Sequence, residues 1–319
     1  MISGFLVVDK PVGLTSHDVV AIVRSVTGLQ KVGHTGTLDP FATGVLPLAL
    51  GRSTRLIQYL DESIKVYDAN IRLGSATDTG DPTGTVVRTA PLPTADEAGV
   101  DAVLATFLGS RLQEPPAYSA VKVAGRPMYE YARKGKPVKA AARPIVLHAV
   151  ERLAYDGETL RVRITCSRGT YARVLADEIA TALGSAGHLQ DLARERSGPF
   201  VLEDALSMPR LAEIVAGPSE LDWKRVLTPG RGEDRVKWRA REEVAAGLGP
   251  YVRKELQVLT HIPMAEISPV DARRVRQGGS LPVPPRGVAF GSKYLVVAAD
   301  ELIAVAENTP QGPRGLRVG

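Results

Sequence analysis

The sequence predicts an α+β protein with a mixed, largely antiparallel central sheet flanked by helices and a small β-rich C-terminal domain. Three observations lead to this fold class. Strand-like and helix-like segments alternate irregularly, and Asp156-Gly157 joins two alternating segments in the manner of a β-hairpin. Further strand-like pieces follow a Pro/Gly-rich stretch at residues 209–232. Regular alternation of strands and helices would instead favour a doubly wound parallel sheet.

The first elements are predicted from apolar runs and their end signals. Residues 5–9 form an apolar run that ends at a Lys-Pro-Val-Gly turn, which is typical of a strand. Ser16 is a suitable N-cap for an amphipathic helix that closes at Gly28. A glycine-rich loop follows, and strands are expected at residues 45–50 and 65–73.

The later elements are predicted in the same way. Residues 94–108 are expected to form a helix that ends at Gly109, and residues 171–183 are expected to form another. Three strand-like pieces are expected in the C-terminal part, at residues 256–260, 295–299 and 302–306. The last residues, 309–319, are rich in Pro, Gly and Arg and are expected to fray.

Length and composition indicate a two-domain protein of the cytoplasm. A chain of 319 residues predicts about two domains, which we place at residues 1–220 and 221–319. An apolar content of 44% with 24% charged residues is ordinary for a globular protein. No apolar run reaches the roughly 18 residues of a membrane helix, and no secretory signal is visible. The single cysteine, Cys166, excludes an internal disulfide and argues against a structural zinc site.

Several common catalytic motifs are absent from the sequence. It contains no phosphate-binding P-loop, no GxGxxG dinucleotide turn, no HExxH zinc motif and no GxSxG nucleophile elbow. We therefore expect no cofactor and no metal. The remaining possibility is general acid, general base or covalent catalysis by a carboxylate, assisted by arginine and tyrosine.

The stretch at residues 33–44 concentrates polar residues in a glycine-rich loop. Asp39 precedes Pro40, and because a residue before proline is displaced from the helical region, a structural turn is one interpretation. The bracketing glycines and His34, five residues upstream, favour a site. A nucleophilic carboxylate needs exposure, a fixed rotamer and a cationic neighbour. Both interpretations stay open on the local sequence.

Two distant residues could complete such a site. Arg173, where a strand gives way to a helix, could bind a carboxylate through two nitrogens, as lysine cannot. Tyr67 lies on the expected strand at 65–73, where an aromatic side chain serves either the core or a stacking surface. Asp78 and Asp81 indicate a metal loop only weakly, because further ligands are lacking.

Basic side chains cluster between residues 122 and 143, where Glu130 alone opposes them. Clustered positive charge is typical of a phosphate-backbone footprint, and a solvated basic face is the alternative interpretation. The members of the cluster are Lys122, Arg126, Arg133, Lys134, Lys136, Lys139 and Arg143.

Taken together, these segments resemble the TruB family of tRNA pseudouridine synthases. The resemblance extends from residue 7 to about residue 198, with a looser similarity to a PUA-like RNA-binding domain around residues 270–281. It implies the pseudouridine synthase fold for residues 1–220 and a PUA-like domain for residues 221–319. The matching segments are residues 7–16, 31–47, 65–67, 72–74, 77–79, 115–122 and 168–173.

The resemblance also implies roles for the residues of the site. Asp39 corresponds to the family's catalytic aspartate, which attacks the uridine covalently, and Arg173 to the arginine that pairs with it. Tyr67 corresponds to the tyrosine that stacks on the flipped uracil and is assigned a late proton transfer. Attack at the ribose and attack at the uracil ring are both compatible with these residues.

Further positions carry implied binding roles. His34 corresponds to a histidine that helps displace the base, and Tyr171 and Leu192 correspond to residues lining the uracil pocket. Lys10, in the first matching segment, is expected to contact the substrate. The segment at residues 122–143 corresponds to an insertion that grips the RNA loop.

The implied activity is the isomerisation of a uridine in the T-loop of tRNA, at position 55, to pseudouridine. The reaction breaks a C–N bond and forms a C–C bond without redox chemistry, which agrees with the missing cofactor motifs. The expected partner is tRNA, through its T-arm stem-loop, with no membrane, no metal and no obligatory protein partner. Two alternatives stay open: an RNA-folding module that acts as a tRNA chaperone, and a guide-RNA-dependent pseudouridine synthase.

Overall fold

The computed structural model describes residues 2–217, 221–227 and 238–318. The strands are, in chain order, β1 (Gly4–Lys10), β2 (Val32–His34), β3 (Thr43–Leu50), β4 (Ile64–Leu73), β5 (Ser75–Thr77), β6 (Val86–Thr89), β7 (Gly109–Gln113), β8 (Lys122–Val123), β9 (Arg126–Pro127), β10 (Arg143–Tyr155), β11 (Thr159–Ser167), β12 (Gly187–Ser197), β13 (Phe200–Val201), β14 (Leu206–Ser207), β15 (Val252–Arg253), β16 (Met264–Glu266), β17 (Lys293–Ala298), β18 (Glu301–Thr309) and β19 (Gly312–Val318). The helices are α1 (Ser16–Thr27), α2 (Glu97–Ala105), α3 (Met128–Arg133), α4 (Ala172–Ala182), α5 (Met208–Ala216), α6 (Trp223–Leu227), α7 (Arg241–Leu248), α8 (Glu255–Val258) and α9 (Pro269–Arg276).

The larger sheet of the described residues has eleven strands and is mixed. Its main order is β14-β1-β3-β12-β4-β11-β10-β7, with β2 beside β3, β13 beside β12 and β15 beside β1. Within it, the pairs β1–β14 and β3–β12 are parallel and the remaining pairs are antiparallel. The predicted fold class, a mixed and largely antiparallel sheet with flanking helices, is confirmed.

Strand β1 is buried on both of its faces, which explains its continuous apolar sequence. Leu6 and Val8 join the core formed with the helices, whereas Phe5 and Val7 belong to a second cluster. That second cluster includes Leu295 from the C-terminal sheet. The small domain therefore covers the face of β1 that the helices leave open.

The C-terminal sheet has the order β16-β17-β18-β19 and confirms a small β domain. The packing, however, does not change at the expected boundary of residue 220. Val244 and Leu248 of α7 belong to the main core, and β15 pairs with β1. We therefore propose that the larger unit extends to about residue 253, because the elements up to that point complete its core and sheet. The expected boundary region partly coincides with residues 218–220, which lie outside the described residues.

Several local predictions require correction. The N-cap of α1 is Thr15, which forms a capping box with Asp18, so Ser16 is free for another contact. The helix expected at 94–108 is confined to α2, and Gly109 begins β7. The segment expected to be a strand, residues 256–260, overlaps helix α8. The tail expected to fray contains β19, which pairs with β18. None of the described helices is both long and apolar enough to span a membrane.

Candidate active site

Asp39 lies in the connection between β2 and β3, residues 35–42, which we name the Asp39 loop. The amide of Ala42 donates to the Asp39 carbonyl at 3.1 Å, so residues 39–42 form a β-turn with Pro40 at its second position. The turn interpretation is therefore correct, and it also presents the carboxylate. The freed Ser16 hydroxyl donates to the Leu38 carbonyl at 3.1 Å and accepts from the Leu38 amide at 2.8 Å, which fixes the residue before Asp39.

Arg173 pairs with Asp39 through a single nitrogen. Its Nε donates to Asp39 Oδ2 at 2.9 Å, and the side chains are 6% and 36% exposed, respectively. The two terminal nitrogens donate to the carbonyls of Thr79 at 3.0 Å and Tyr118 at 2.8 Å. The predicted two-nitrogen contact with the carboxylate is not the arrangement found, because the hydrogen bonds of both terminal nitrogens go to these carbonyls. Arg173 instead contacts three separate loops, which contain Asp39, Thr79 and Tyr118.

The charge state of Asp39 is set by opposing influences. Burial raises the pKa of the Asp39 carboxyl above its usual range, and the nearby Asp81 adds to the rise. The cations of Arg173 and Lys10 oppose it and limit the increase. The ionised carboxylate is thus kept in a setting where it is less well solvated than in water, which favours its reaction with a bound group.

This raised pKa gives a prediction for stability. We expect Asp39→Asn to raise the thermal midpoint at about pH 8, even though the ion pair with Arg173 is lost. Because the folded state binds the Asp39 proton more tightly than the unfolded state does, stability is lost as the pH rises through the folded pKa. The difference between variant and parent should shrink towards about pH 4, as followed by circular dichroism. A lower midpoint for the variant at about pH 8 would contradict the prediction.

Tyr67 lies on β4 with its side chain buried near the same carboxylate. Burial raises the pKa of its hydroxyl, the Arg194 guanidinium lowers it, and the nearby Cys166 and Asp39 side chains raise it. Leu192 on β12 is also buried and pairs with Ala69, two residues along β4. The structure thus brings Tyr67, Leu192 and Asp39 to one region, although their residues are far apart in the sequence.

Lys10 does not lie where a substrate contact would require. Its side chain is fully buried, and the ammonium donates to the carbonyls of Pro11 and Leu14 at 2.8 Å and of Pro40 at 3.4 Å. Burial is the main reason that its pKa falls to about 8. An ammonium has three donors, and all three face backbone carbonyls. The expected substrate contact is therefore replaced by a structural one, which anchors the turn that carries Asp39.

Arg194 is a residue of the site that the sequence analysis missed. It is 1% exposed on β12 and donates to the carbonyls of Gly36, Thr37 and Val45. A signal was present, because residues two apart on a strand share a face and Arg194 follows Leu192 by two. Recognising it required an assignment of β12 as a strand, which the sequence analysis did not make.

Gly44, at the start of β3, approaches the backbone of Arg194 more closely than any side chain would allow. Its φ is +98°, and a Cβ placed there would lie 2.3 Å from the Arg194 carbonyl oxygen. We expect Gly44→Ala to lower the free energy of unfolding by about 2–4 kcal/mol, from backbone strain and the clash together. Urea denaturation measures this change.

A matched control separates the two causes. Gly157 also has a positive φ, +91°, but nothing lies within 4 Å of its hypothetical Cβ. Gly157→Ala is expected to cost only the backbone component, about 1–2 kcal/mol. Equal losses for the two variants would show that the contact with Arg194 is not tight.

His34 ends β2 immediately before the Asp39 loop, and Tyr171 immediately precedes α4, which carries Arg173. The His34 ring meets the His17 ring edge-on, with centroids 5.3 Å apart, and its buried Nδ1 has no hydrogen-bond partner. Burial is the main cause that lowers the pKa of His34, and the neighbouring His17 ring and Arg194 guanidinium lower it further. Tyr171 precedes α4, and its backbone exchanges two hydrogen bonds with the Gln113 side chain, at 2.8 and 3.2 Å. The start of α4, which carries Arg173, is fixed in this way.

Residues 122–143, which we name the basic insertion, begin shortly after Tyr118, whose carbonyl accepts from Arg173. They contain the β8–β9 hairpin and α3, and the amides of Met128 and Tyr129 donate to the carbonyls of Val121 and Ser119. The basic side chains are all exposed, and Lys139 makes a long surface ion pair with Glu114, at 4.0 Å. A solvent-facing cationic surface is thus joined to the loop whose carbonyl binds Arg173.

The weakly indicated metal loop is explained by hydrogen bonding within it. Asp81 accepts from the Thr79 hydroxyl and from both the amide and the hydroxyl of Thr83, and Asp78 accepts from the amide of Thr85. Both carboxylates therefore shape the loop that Arg173 contacts. In the described part of the chain, no three His, Cys, Asp or Glu side chains are grouped as a metal site would require.

A family model and named relatives match this chain. A family model described as TruB family pseudouridylate synthase, N-terminal domain, matches residues 24–172. The chain is 45% identical over 216 residues to tRNA pseudouridine synthase B of Aromatoleum aromaticum, covering 68% of this chain and 70% of that protein. It is 36% identical over 318 residues to tRNA pseudouridine synthase B of Chromohalobacter salexigens, covering 99% of this chain and 94% of that protein.

Solved structures show the same fold over nearly the whole chain. The structure of a Cbf5-Nop10-Gar1 complex matches with a TM-score of 0.68 and 27% identity, covering 99% of this chain and 84% of that one. The structure of an H/ACA RNP bound to a substrate RNA containing 2'-deoxyuridine matches with a TM-score of 0.67 and 25% identity, again over 99% of this chain and 84% of that one. From the family match and the extent of these similarities, the chain belongs to the TruB family of pseudouridylate synthases.

Proposed function

We propose that this enzyme converts the uridine at position 55 in the T-loop of tRNA to pseudouridine, with Asp39 as the covalent nucleophile. The observation that carries the proposal is the Asp39–Arg173 pair. A buried cation holds a carboxylate that remains 36% exposed, so the charge is fixed in place and still open to a ligand. Relatives named tRNA pseudouridine synthase B support tRNA as the substrate.

In the proposed reaction, the residues around Asp39 act one after another. The target base leaves its stack at a cost of a few kcal/mol. Stacking on Tyr67 returns about 1–3 kcal/mol of that cost, and His34 helps displace the base. Asp39 then forms a covalent bond to the substrate, at the ribose or at the uracil ring, and the glycosidic C–N bond breaks. The ribose carbon that held N1 bonds to uracil C5, and the bond to Asp39 breaks, which regenerates the carboxylate. The C5 proton is lost and N1 gains one, so the reaction is an isomerisation with no external reactant.

Confinement of the detached base is the second requirement. Uracil must rotate without escaping, and we assign this confinement to Leu192 and Tyr171, an apolar and an aromatic side chain. Arg173 favours the ionised form of Asp39. Lys10 has no role with the substrate in this scheme, because its donors bind backbone carbonyls.

A direct experiment tests the proposal. Purified enzyme is incubated with an unmodified tRNA transcript and no other component, and pseudouridine is mapped by carbodiimide labelling and primer extension. We expect one modified site, at position 55, and loss of the signal when that uridine is replaced by cytidine. Modification elsewhere would contradict the T-loop assignment. Modification only after addition of a guide RNA would favour the mode suggested by the likeness to the H/ACA RNP structure.

The basic insertion gives a separate prediction about RNA binding. We expect Arg133→Ala combined with Lys134→Ala to weaken RNA binding and to flatten the salt dependence of log K by about 1.4, at about 0.7 per contact to single-stranded RNA. Both side chains are exposed on or just after α3. The measurement is fluorescence anisotropy of a labelled T-arm stem-loop across a salt series. Arg161→Ala combined with Arg210→Ala, two exposed arginines in surface ion pairs outside the basic insertion, is the charge-matched control, and an equal change in that control would contradict the assignment.

A further inference from the structure

Arg194 is a buried cation that has no carboxylate partner among the described residues. Its side chain lies on β12 with 1% exposure, and none of the ion pairs in this part of the chain includes it. Burying a charge is costly unless hydrogen bonds compensate for the lost water. An arginine retained at such a position therefore needs a structural or functional reason.

The compensation comes from the backbone on both sides of Asp39. Arg194 Nε donates to the Val45 carbonyl at 2.8 Å, and the two terminal nitrogens donate to the carbonyls of Gly36 at 3.0 Å and Thr37 at 3.3 Å. The first of these acceptors follows the Asp39 loop and the other two lie in its first part. The planar guanidinium places its donors on three separate nitrogens and so binds widely spaced carbonyls, whereas the three donors of a lysine ammonium share one nitrogen.

The main chain of Arg194 supports the same segment. Arg194 pairs with Gly44 in the parallel contact between β12 and β3, where the two backbones are too close for a Cβ. On its other side, Arg194 lies directly across from Tyr67 on β4. One residue therefore contacts both ends of the Asp39 loop and neighbours the aromatic ring.

We propose that Arg194 is a positioning residue, which fixes the Asp39 loop relative to Tyr67 so that carboxylate and ring meet the same base. This inference rests on the proposed function. Arg194 acts through the backbone of the loop and does not itself need to touch the substrate. A displacement of reacting groups by about 1 Å costs on the order of 100-fold in rate, so the effect should fall on kcat and leave KM nearly unchanged.

The test compares three variants in single-turnover and steady-state assays of tritium release from a T-arm stem-loop labelled at uracil C5. Arg194→Lys keeps the charge but cannot reach three carbonyls in the same geometry, and Arg194→Gln removes the charge. We expect kcat to fall at least about 30-fold for lysine and about 100-fold for glutamine, with RNA affinity within about threefold of the parent. Arg196→Gln is the matched control, since Arg196 is exposed two residues along β12 and donates to Gly198, so its kcat should not change.

A double-mutant cycle with Tyr67→Phe separates positioning from general loss of stability. Positioning predicts that Arg194→Lys and Tyr67→Phe are strongly non-additive in kcat, because both disturb one arrangement. Additive effects, an unchanged kcat in Arg194→Lys, or failure of both Arg194 variants to fold would overturn the inference. If the parent enzyme itself forms no pseudouridine, the proposed function fails, and that outcome is distinct from an active parent whose Arg194 variants keep their kcat.

Discussion

Replacing Asp39 with asparagine is expected to reduce pseudouridine formation by about 10⁴-fold or more, because the residue that would form the covalent bond is lost. Affinity for RNA should stay nearly unchanged. Asparagine preserves the shape of the side chain, and the turn at residues 39–42 uses the backbone carbonyl of Asp39, which remains. Tritium release from RNA labelled at uracil C5 measures turnover, and filter binding measures affinity.

Asp68→Asn is the matched control for this experiment. Asp68 is the residue after Tyr67 on β4, so its side chain points to the opposite face of the sheet, where it pairs with Arg161. Because this pair is separate from the Asp39–Arg173 pair, the turnover should be preserved. Retained turnover in Asp39→Asn would contradict the assignment of Asp39 as the nucleophile. A retained effect on tRNA folding without turnover would reveal the chaperone activity as a separate function.

Replacing Arg173 is expected to have the second largest effect. Arg173→Met removes the cation beside Asp39 and leaves the carbonyls of Thr79 and Tyr118 without their donors. We expect turnover to fall by about 10²–10³-fold, the range found when one preorganised donor is removed from an active site. Arg173→Lys should be intermediate, because it keeps the charge, but its three donors share one nitrogen and cannot match the spacing of the guanidinium nitrogens.

The pH dependence of these variants provides an independent check. Since the Arg173 cation opposes the burial that raises the pKa of Asp39, its removal should raise that pKa further. The acid limb of the pH–rate profile for Arg173→Met should therefore shift to higher pH, while that for Arg173→Lys shifts less. Arg152→Met, at a surface pair with Asp101, is the control and should leave the profile unchanged. Identical rates for the methionine and lysine variants would contradict a role for the charge.

The parts of the site that could be predicted from the sequence were those with a local cause. The turn at Asp39 follows from Pro40 and the polar residues around it, and β1 and α1 follow from their apolar spacing. The pairing of Asp39 with Arg173 could be suggested from residue chemistry and from the family resemblance. Its geometry could not, because the competing acceptors on Thr79 and Tyr118 come from two other loops.

Strand β12 shows why some elements could not be predicted from the sequence. Its buried positions include Arg194 and Ser197, so the apolar alternation that predicts a strand is broken where the strand crosses the site. Lys10 shows the converse error: a lysine in a matching segment was expected to contact the substrate, yet its neighbours are backbone carbonyls brought together by folding. In both cases, the partner of a buried cation is main chain, which carries no signature in the sequence.

The carbonyl of Tyr118 is held by Arg173 at the point where the chain leaves towards the basic insertion. The chain at Tyr118 is constrained by this contact with Arg173, whereas the exposed part of the basic insertion is not. Substitutions at the exposed tip, residues 133–139, leave that hydrogen bond and the ion pair of Asp39 intact. On the proposed role of the basic insertion in RNA binding, RNA preference can be redesigned by changing the tip alone, while the Arg173–Tyr118 contact and the Asp39–Arg173 pair stay the same.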